Sequence, residues 1–216
     1  MKILNTSADL AADAGKGQIR QANEALILAA AERVFATAGF GGATMAAIAE
    51  ASGLPKANLH YYFGSKQDLY RAVLARTLTD WLVPAHGIQA DADPRTAIEQ
   101  YIRAKMELSQ NRPDASKVFA NELLHGAPVV KTLLATELRQ MVKAKAAVIE
   151  GWIAAGRMAE VDPVHLFFTI WATTQTYADF DEQVKAVLGR SKLGPKDHDR
   201  ATEHVVSLLL RGCGLL

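Results

Sequence analysis

Residues 44–66, TMAAIAEASGLPKANLHYYFGSK, constrain the chain more than any other stretch, because they prescribe two short helices and the turn between them. Met45, Ile48, Ala49 and Ser52 recur at helical spacing on or near one face. Thr44 suits an N-cap. A full capping box would place Glu or Gln three residues later, where Ala47 stands, so only half of that device is present. Ser52-Gly53 ends the first helix, since Gly takes the left-handed conformation at low cost. Pro55 fits the first turn of the next helix, where its missing N–H is not needed. That second helix, residues 56–62, has a polar N-terminal end and a small Ala57, which suits close approach to a phosphate backbone. The pattern is a helix-turn-helix and makes double-stranded DNA the expected partner. A helical hairpin inside an ordinary all-α protein is the alternative.

The rest of the chain repeats the same punctuation. Residues 23–38 read as a first helix ended by Gly39, with Leu26, Ala30, Val34 and Phe35 facing a core. Ser65 caps a connector helix that Pro84 stops. Asp93-Pro94, Pro113 and Asp162-Pro163 mark helix starts, and Gly126 and Gly156 mark ends. The helices expected from them cover 94 to about 111, 113–126, 128–156 and 162 to about 187, with a last one over 198–211. No strand alternation, internal repeat or low-complexity tract occurs. The expected fold is therefore all-α with about nine helices: a flexible N-terminal arm (1–17), a three-helix DNA-binding domain (18–66) and a helical ligand-binding and dimerisation domain (67–216). The last two helices are apolar on more than one face, so a second copy of the chain is the expected cover, with closure of the monomer core as the alternative.

Composition narrows the functional classes. The chain has 216 residues, half of them hydrophobic, enough to bury a substantial core. No run of about 18 apolar residues occurs, so a membrane span is not expected. Residues 1–17 lack the charged-then-apolar order of a signal peptide. One cysteine, Cys213, excludes an internal disulfide and fits the cytoplasm. The net charge of +1 does not itself point to nucleic acid, but Lys56 and Lys66 flank a segment with no acid between them. A phosphate surface needs such local cations rather than a basic whole domain.

No catalytic motif is present: no Gly-rich phosphate loop, nucleophile elbow or His-Glu-x-x-His. The six histidines never pair at i,i+3 or i,i+4, so a helix-borne metal site is not expected, and no motif gives reason to expect a cofactor. The chain does not read as an enzyme. One constellation suggests binding instead. Trp171 and Gln175 share a helix face, Thr174 lies beside them, and Trp81 at the end of the connector helix could meet that face. Indole can stack on a flat ring, and a Gln amide can match an edge that carries adjacent C=O and N–H groups. Ordinary core packing is the alternative. Glu122, inside an apolar run, is a further buried-polar candidate.

The run Thr44…Ile48-Ala49…Gly53-Leu54…Lys56-Ala57-Asn58-Leu59…Tyr62-Phe63…Ser65-Lys66…Leu69 resembles the DNA-binding domain of the TetR family of repressors. That family usually has Gly at Ala57 and Tyr at His60. The reading assigns Thr44, His60, Tyr62 and Lys66 to phosphates and Lys56, Asn58 and Tyr61 to base edges, with Ala57 at the close approach. Further stretches, Trp81-Leu-Val-Pro84, Glu122-Leu-Leu-His-Gly-Ala-Pro128 and Ile170-Trp-Ala-Thr-Thr-Gln-Thr-Tyr-Ala-Asp-Phe180, are similar to the branch of that family that regulates pyrimidine-utilisation (Rut) operons. The resemblance implies a homodimeric repressor that uracil or thymine releases from its operator, with Trp81, Glu122, Trp171, Thr174 and Gln175 as candidate effector contacts. A TetR-type repressor that answers to a different small aromatic or hydrophobic compound, and a DNA binder without an effector, remain open.

Overall fold

A computed structural model describes residues 6–216, with side chains from residue 17 onward. The arm expected over 1–17 falls almost wholly outside the described side chains. Every described element is helical, and the chain divides into two units, Met1–Val73 and Leu74–Leu216. The division falls inside the connector helix, beyond the Lys66 boundary expected from sequence.

The first unit holds α1 (Thr6–Gly42), α2 (Met45–Ser52), α3 (Lys56–Phe63) and the start of α4 (Lys66–Leu82). α1 breaks its helical geometry at Gly39, whose φ of 66° is one that glycine adopts without a Cβ penalty. Ile27, Ala30, Ala31 and Phe35 from α1 are buried with Met45, Ile48, Leu59, Leu69 and Tyr70. The stretch Gly17–Gly42 is long and apolar enough to cross a membrane by length and composition, but these residues put its apolar stripe into the core of the unit. Phe35 and Phe40 pack on Tyr70 at centroid distances of 5.0 and 4.9 Å. Lys66 closes the corner: its ammonium donates to the carbonyls of Phe40 (2.7 Å) and Ala43 (2.9 Å) and lies 4.5 Å from the Phe40 ring. Thr44 caps α2 by accepting from the Ala47 N–H at 3.1 Å. Gly53 ends α2 with φ 70°, and Arg33 donates to the Ala51 carbonyl at 3.1 Å, tying α1 to the turn.

The second unit is a helical body. Beyond the end of α4 it comprises a 3₁₀ turn (Val83–Gly87), α5 (Pro94–Asn111), α6 (Pro113–Leu124), the short α7 (Lys131–Leu133), α8 (Arg139–Ala154), α9 (Pro163–Asp179), α10 (Asp181–Leu188) and α11 (Pro195–Gly212). α5 is central: Ile98, Tyr101, Ile102 and Met106 meet Ile149 and Trp152 of α8, Phe167 and Ile170 of α9, and Val206 and Leu210 of α11. Its start follows the sequence signal, with Asp93 accepting from the Thr96 N–H at 2.9 Å and Pro94 in the first turn. Asp162 caps α9 in the same way.

Two expected helices differ in detail. The one expected over 128–156 begins at Lys131 and passes through a π-turn, Leu134–Leu138, before α8. The one expected over 162–187 is two helices, because Phe180 leaves helical geometry (φ −120°, ψ 33°) and Asp181 starts a new N-terminus. The acids Asp181 and Glu182 suit that positive helix end, and Lys117 of α6 pairs with Asp181 at 2.9 Å.

Candidate effector cavity and nucleic-acid interface

On α3, Lys56, Ala57, His60 and Tyr61 are exposed together, which is one helix face at i, i+1, i+4 and i+5. Tyr61 is 75% exposed, and its ring meets Tyr62 edge-on at 5.4 Å. Leu59, buried on the opposite side, anchors the helix. Asn58 and Tyr62 are half-buried, and the Tyr62 hydroxyl accepts from the Asn23 amide at 3.4 Å. The His60 Nδ1 lies 2.8 Å from the Gly64 carbonyl. A carbonyl can only accept, so Nδ1 carries the proton and Nε2 becomes a donor only when the ring is cationic. Thr44 is exposed, but its hydroxyl oxygen already caps α2. Lys66, assigned to phosphate from sequence, has two of its three donors committed to backbone carbonyls of its own unit.

In the body, a cavity of about 270 Å³ lies between α4, α5, α6, the π-turn with α8, and α9. Ligand cavities run from about 300 to 1,000 Å³, so this one suits a small molecule. Leucines, Met141 and Phe119 form its walls, with Trp81 and Trp171 among them. Its polar groups are few and specific. The Trp171 N–H donates to the Tyr101 hydroxyl at 2.8 Å, which satisfies the indole within the protein. Burial, countered in part by that bond, pushes the Tyr101 phenol up to about 12. The Gln175 side-chain amide is half-buried at the cavity and has no hydrogen-bond partner among the described residues. Lys105 is 2% exposed, and its ammonium lies 4.2 Å from the centre of the Trp81 ring. Burial holds that ammonium far below the ordinary lysine range, at about 7, with Asp179 pulling the other way.

The structure thus brings Trp81, Trp171 and Gln175 to one cavity and leaves Glu122 and Thr174 outside its lining. Thr174 is fully buried, and its hydroxyl donates to the Ile170 carbonyl of its own helix at 2.7 Å. Glu122 accepts from the Val129 N–H at 2.6 Å and the Val130 N–H at 3.3 Å, so it shapes the bend before α7. Tyr101 and Lys105 escaped the sequence reading. They stand i,i+4 in the apolar stripe of α5, and a lysine inside such a stripe is the signal that could have found them.

Comparison with known proteins covers both units. Residues 27–73 match the model of bacterial regulatory proteins of the tetR family, and residues 74–216 match that of the YcdC-like protein C-terminal region. The HTH-type transcriptional regulator RutR of Escherichia coli (strain K12) is 42% identical over 191 residues, which span 88% of this chain and 90% of that one. The chain belongs to the TetR family. As a TetR-family protein it is a DNA-binding transcriptional regulator, in keeping with relatives that are regulators rather than enzymes. The fold agrees with solved TetR-family structures. A regulator from Rhodococcus RHA1 has a TM-score of 0.67 at 20% identity, covering 88% of this chain and 95% of that one. AibR, solved with isovaleryl coenzyme A and operator DNA, has a TM-score of 0.64 at 16% identity, covering 86% and 97%.

Proposed function

We propose that this chain is a homodimeric, one-component repressor that a pyrimidine such as uracil or thymine releases from its operator. The observation that carries the effector reading is the small cavity in which Trp81 and Trp171 are walls and the Gln175 amide lacks a hydrogen-bond partner among the described residues. A flat ring can lie against indole there and meet both donor and acceptor of the amide. The resemblance to regulators of pyrimidine utilisation points the same way, as does the 42% identity to RutR across both units.

On this reading the exposed face of α3 enters a major groove. Lys56, Asn58 and Tyr61 reach base edges, Ala57 gives the close approach, and His60, Tyr62, Thr44 and the remaining donor of Lys66 serve phosphates. Exposed apolar residues, Phe168 on α9 and Leu208 on α11, supply a surface for the second copy. The two copies then place their heads about one helical turn of DNA apart, or a multiple of it. The effector acts by favouring a body conformation in which the heads no longer match that spacing, and its effect is bounded by its differential affinity for the two states. The protein works where the chromosome is, in the cytoplasm.

Titration with uracil, thymine and a purine control, read by tryptophan fluorescence, tests the effector, since two of the three tryptophans line the cavity. Saturable quenching by the pyrimidines alone is expected. Gln175→Ala keeps operator binding in a gel-shift assay but loses the pyrimidine response; an unchanged response removes Gln175 from the site. The leucine-rich walls also favour a second reading, a small hydrophobic or other aromatic effector, which quenching by such compounds and not by pyrimidines would establish.

A further inference from the structure

Lys105 is the side chain that packing alone explains least. It occupies the buried stripe of α5 between Ile102 and Met106. An ammonium taken out of water normally acquires a hydrogen-bonded anion or loses its proton. Among the described residues it makes no hydrogen bond and no ion pair, and its ammonium lies 4.2 Å from the centre of the Trp81 ring. The carboxylate that acts on it from α9, Asp179, is already engaged by the Ser116 hydroxyl at 2.6 Å. One turn earlier on α5, the Tyr101 oxygen receives the Trp171 N–H, and its own O–H has no acceptor among the described residues. Residues i and i+4 of a helix are neighbours. The cavity lining therefore contains, on a single helix, two adjacent donor groups.

We propose that Lys105 and Tyr101 form a donor pair that holds one exocyclic oxygen of the effector, so that the cavity selects rings bearing an oxo group at that edge over rings bearing an amino group. The inference rests on the effector reading above and deepens it. An oxo group places lone pairs against both donors. An amino group places N–H against the Tyr101 O–H and against the ammonium, and it can be accommodated at Lys105 only by the uncharged amine, without proton uptake. Sites built around a required hydrogen bond discriminate strongly against analogues that lack it. Gln175, which can donate or accept, then reads the neighbouring ring atoms without choosing between the two classes.

A second consequence follows from the same placement. Among the described residues the charged group that acts on Lys105 is Asp179 on α9, and Tyr101 is its titratable neighbour in the cavity lining on its own helix. The other lining side chains, from α4, α6, the π-turn, α8 and α9, are neutral. A ligand oxygen beside the amine favours its protonated form, so binding just above neutral pH takes up a proton.

Isothermal titration calorimetry at pH 8, in buffers of different ionisation enthalpy, reads both consequences. Uracil and cytosine are the first pair of probes; 2-pyridone and 2-aminopyridine isolate the oxo-for-amino exchange on a simpler ring. The wild-type protein should bind uracil with net proton uptake and cytosine at least about 100-fold more weakly. Lys105→Met should weaken uracil binding by about 30-fold or more and abolish the proton uptake, while thermal unfolding shows the variant folded. Uracil binding that is equally tight in Lys105→Met, or that takes up no proton in the wild type, overturns the donor pair and leaves the pyrimidine reading intact. Binding of 2-pyridone with proton uptake, but not of uracil or thymine, would do the reverse. Failure of every oxo-bearing probe overturns both.

Discussion

Replacing Lys105 with methionine should stabilise the ligand-free protein at neutral pH and remove part of its pH dependence. The amine is held at about 7 by burial, against 10.5 in the unfolded chain. Its folded value is depressed, so its favourable contribution is complete above about 10.5 and is lost as pH falls toward 7. Between those values the unfolded chain carries a proton that the folded chain does not, and stability rises with pH. For one such site the gain from pH 7 to pH 9 is about 2 kcal/mol. Methionine keeps a stem of similar length against Trp81 and carries no charge, so the variant should lack this slope. Tyr101 and Cys213 have the opposite sign. Both are raised, to about 12 and about 11, so their contributions are complete below their ordinary values of 10.0 and 9.0 and fall away above them. Both side chains are present in each protein, and comparing the two cancels them.

The assay is urea unfolding of wild type and Lys105→Met at pH 7, 8 and 9 without ligand, followed by tryptophan fluorescence. Trp81, Trp152 and Trp171 all belong to the Leu74–Leu216 unit, so the signal reports the unit that contains the cavity. The wild type should gain about 2 kcal/mol more than the variant across that range. Parallel curves for the two proteins would mean that the Lys105 ammonium is paired in solution, and would refute the account of the cavity as holding an uncompensated cation.

Three other substitutions separate structural from contact roles. Gly53→Ala forces a Cβ into φ 70° where no neighbouring atom lies within 4 Å, so the cost is backbone strain alone, about 1–2 kcal/mol; a lowered melting temperature of the DNA-binding unit in circular dichroism checks it. Lys66→Met deletes two charge-assisted bonds to carbonyls and should destabilise the isolated protein by about 2–3 kcal/mol without any DNA present. A normal melting curve combined with weak operator binding would instead make Lys66 a phosphate contact. Glu122→Gln weakens the cap on the Val129 and Val130 amides and should cost about 1 kcal/mol in thermal unfolding, yet leave the affinity for uracil unchanged, because the residue does not line the cavity.

What could be read from the chain divides along physical lines. The head was legible because its geometry is set by local chemistry: Thr44, Gly53 and Pro55 act within a few residues of themselves, and α2 and α3 fall where those residues place them. The break at Phe180 was not, since an apolar residue continues the helical period and only the acids that follow signal a new start. The π-turn at Leu134–Leu138 likewise contains neither Gly nor Pro. In the cavity, Trp171 and Gln175 share one face, and periodicity sees that. Whether Thr174 or Glu122 joins them depends on which carbonyl or amide lies nearby, and spacing along one helix holds no such information.

Lys105 shows where a stricter sequence reading could have gone further. A polar residue within an apolar stripe is a conflict between local pattern and burial, and such conflicts gather at functional sites because ordinary packing would remove them. The same stripe also contains Ser109, and the same α6 run contains Glu122, so the conflict alone does not single out a ligand group. Glu122 resolves its conflict by bonding to backbone amides. Lys105 has no hydrogen bond or ion pair among the described residues, and it lines a cavity sized for a small ring. The distinction between a structural and a ligand-reading polar residue therefore lies in the presence or absence of a partner, which the helices packed around the cavity decide together and no single helix encodes.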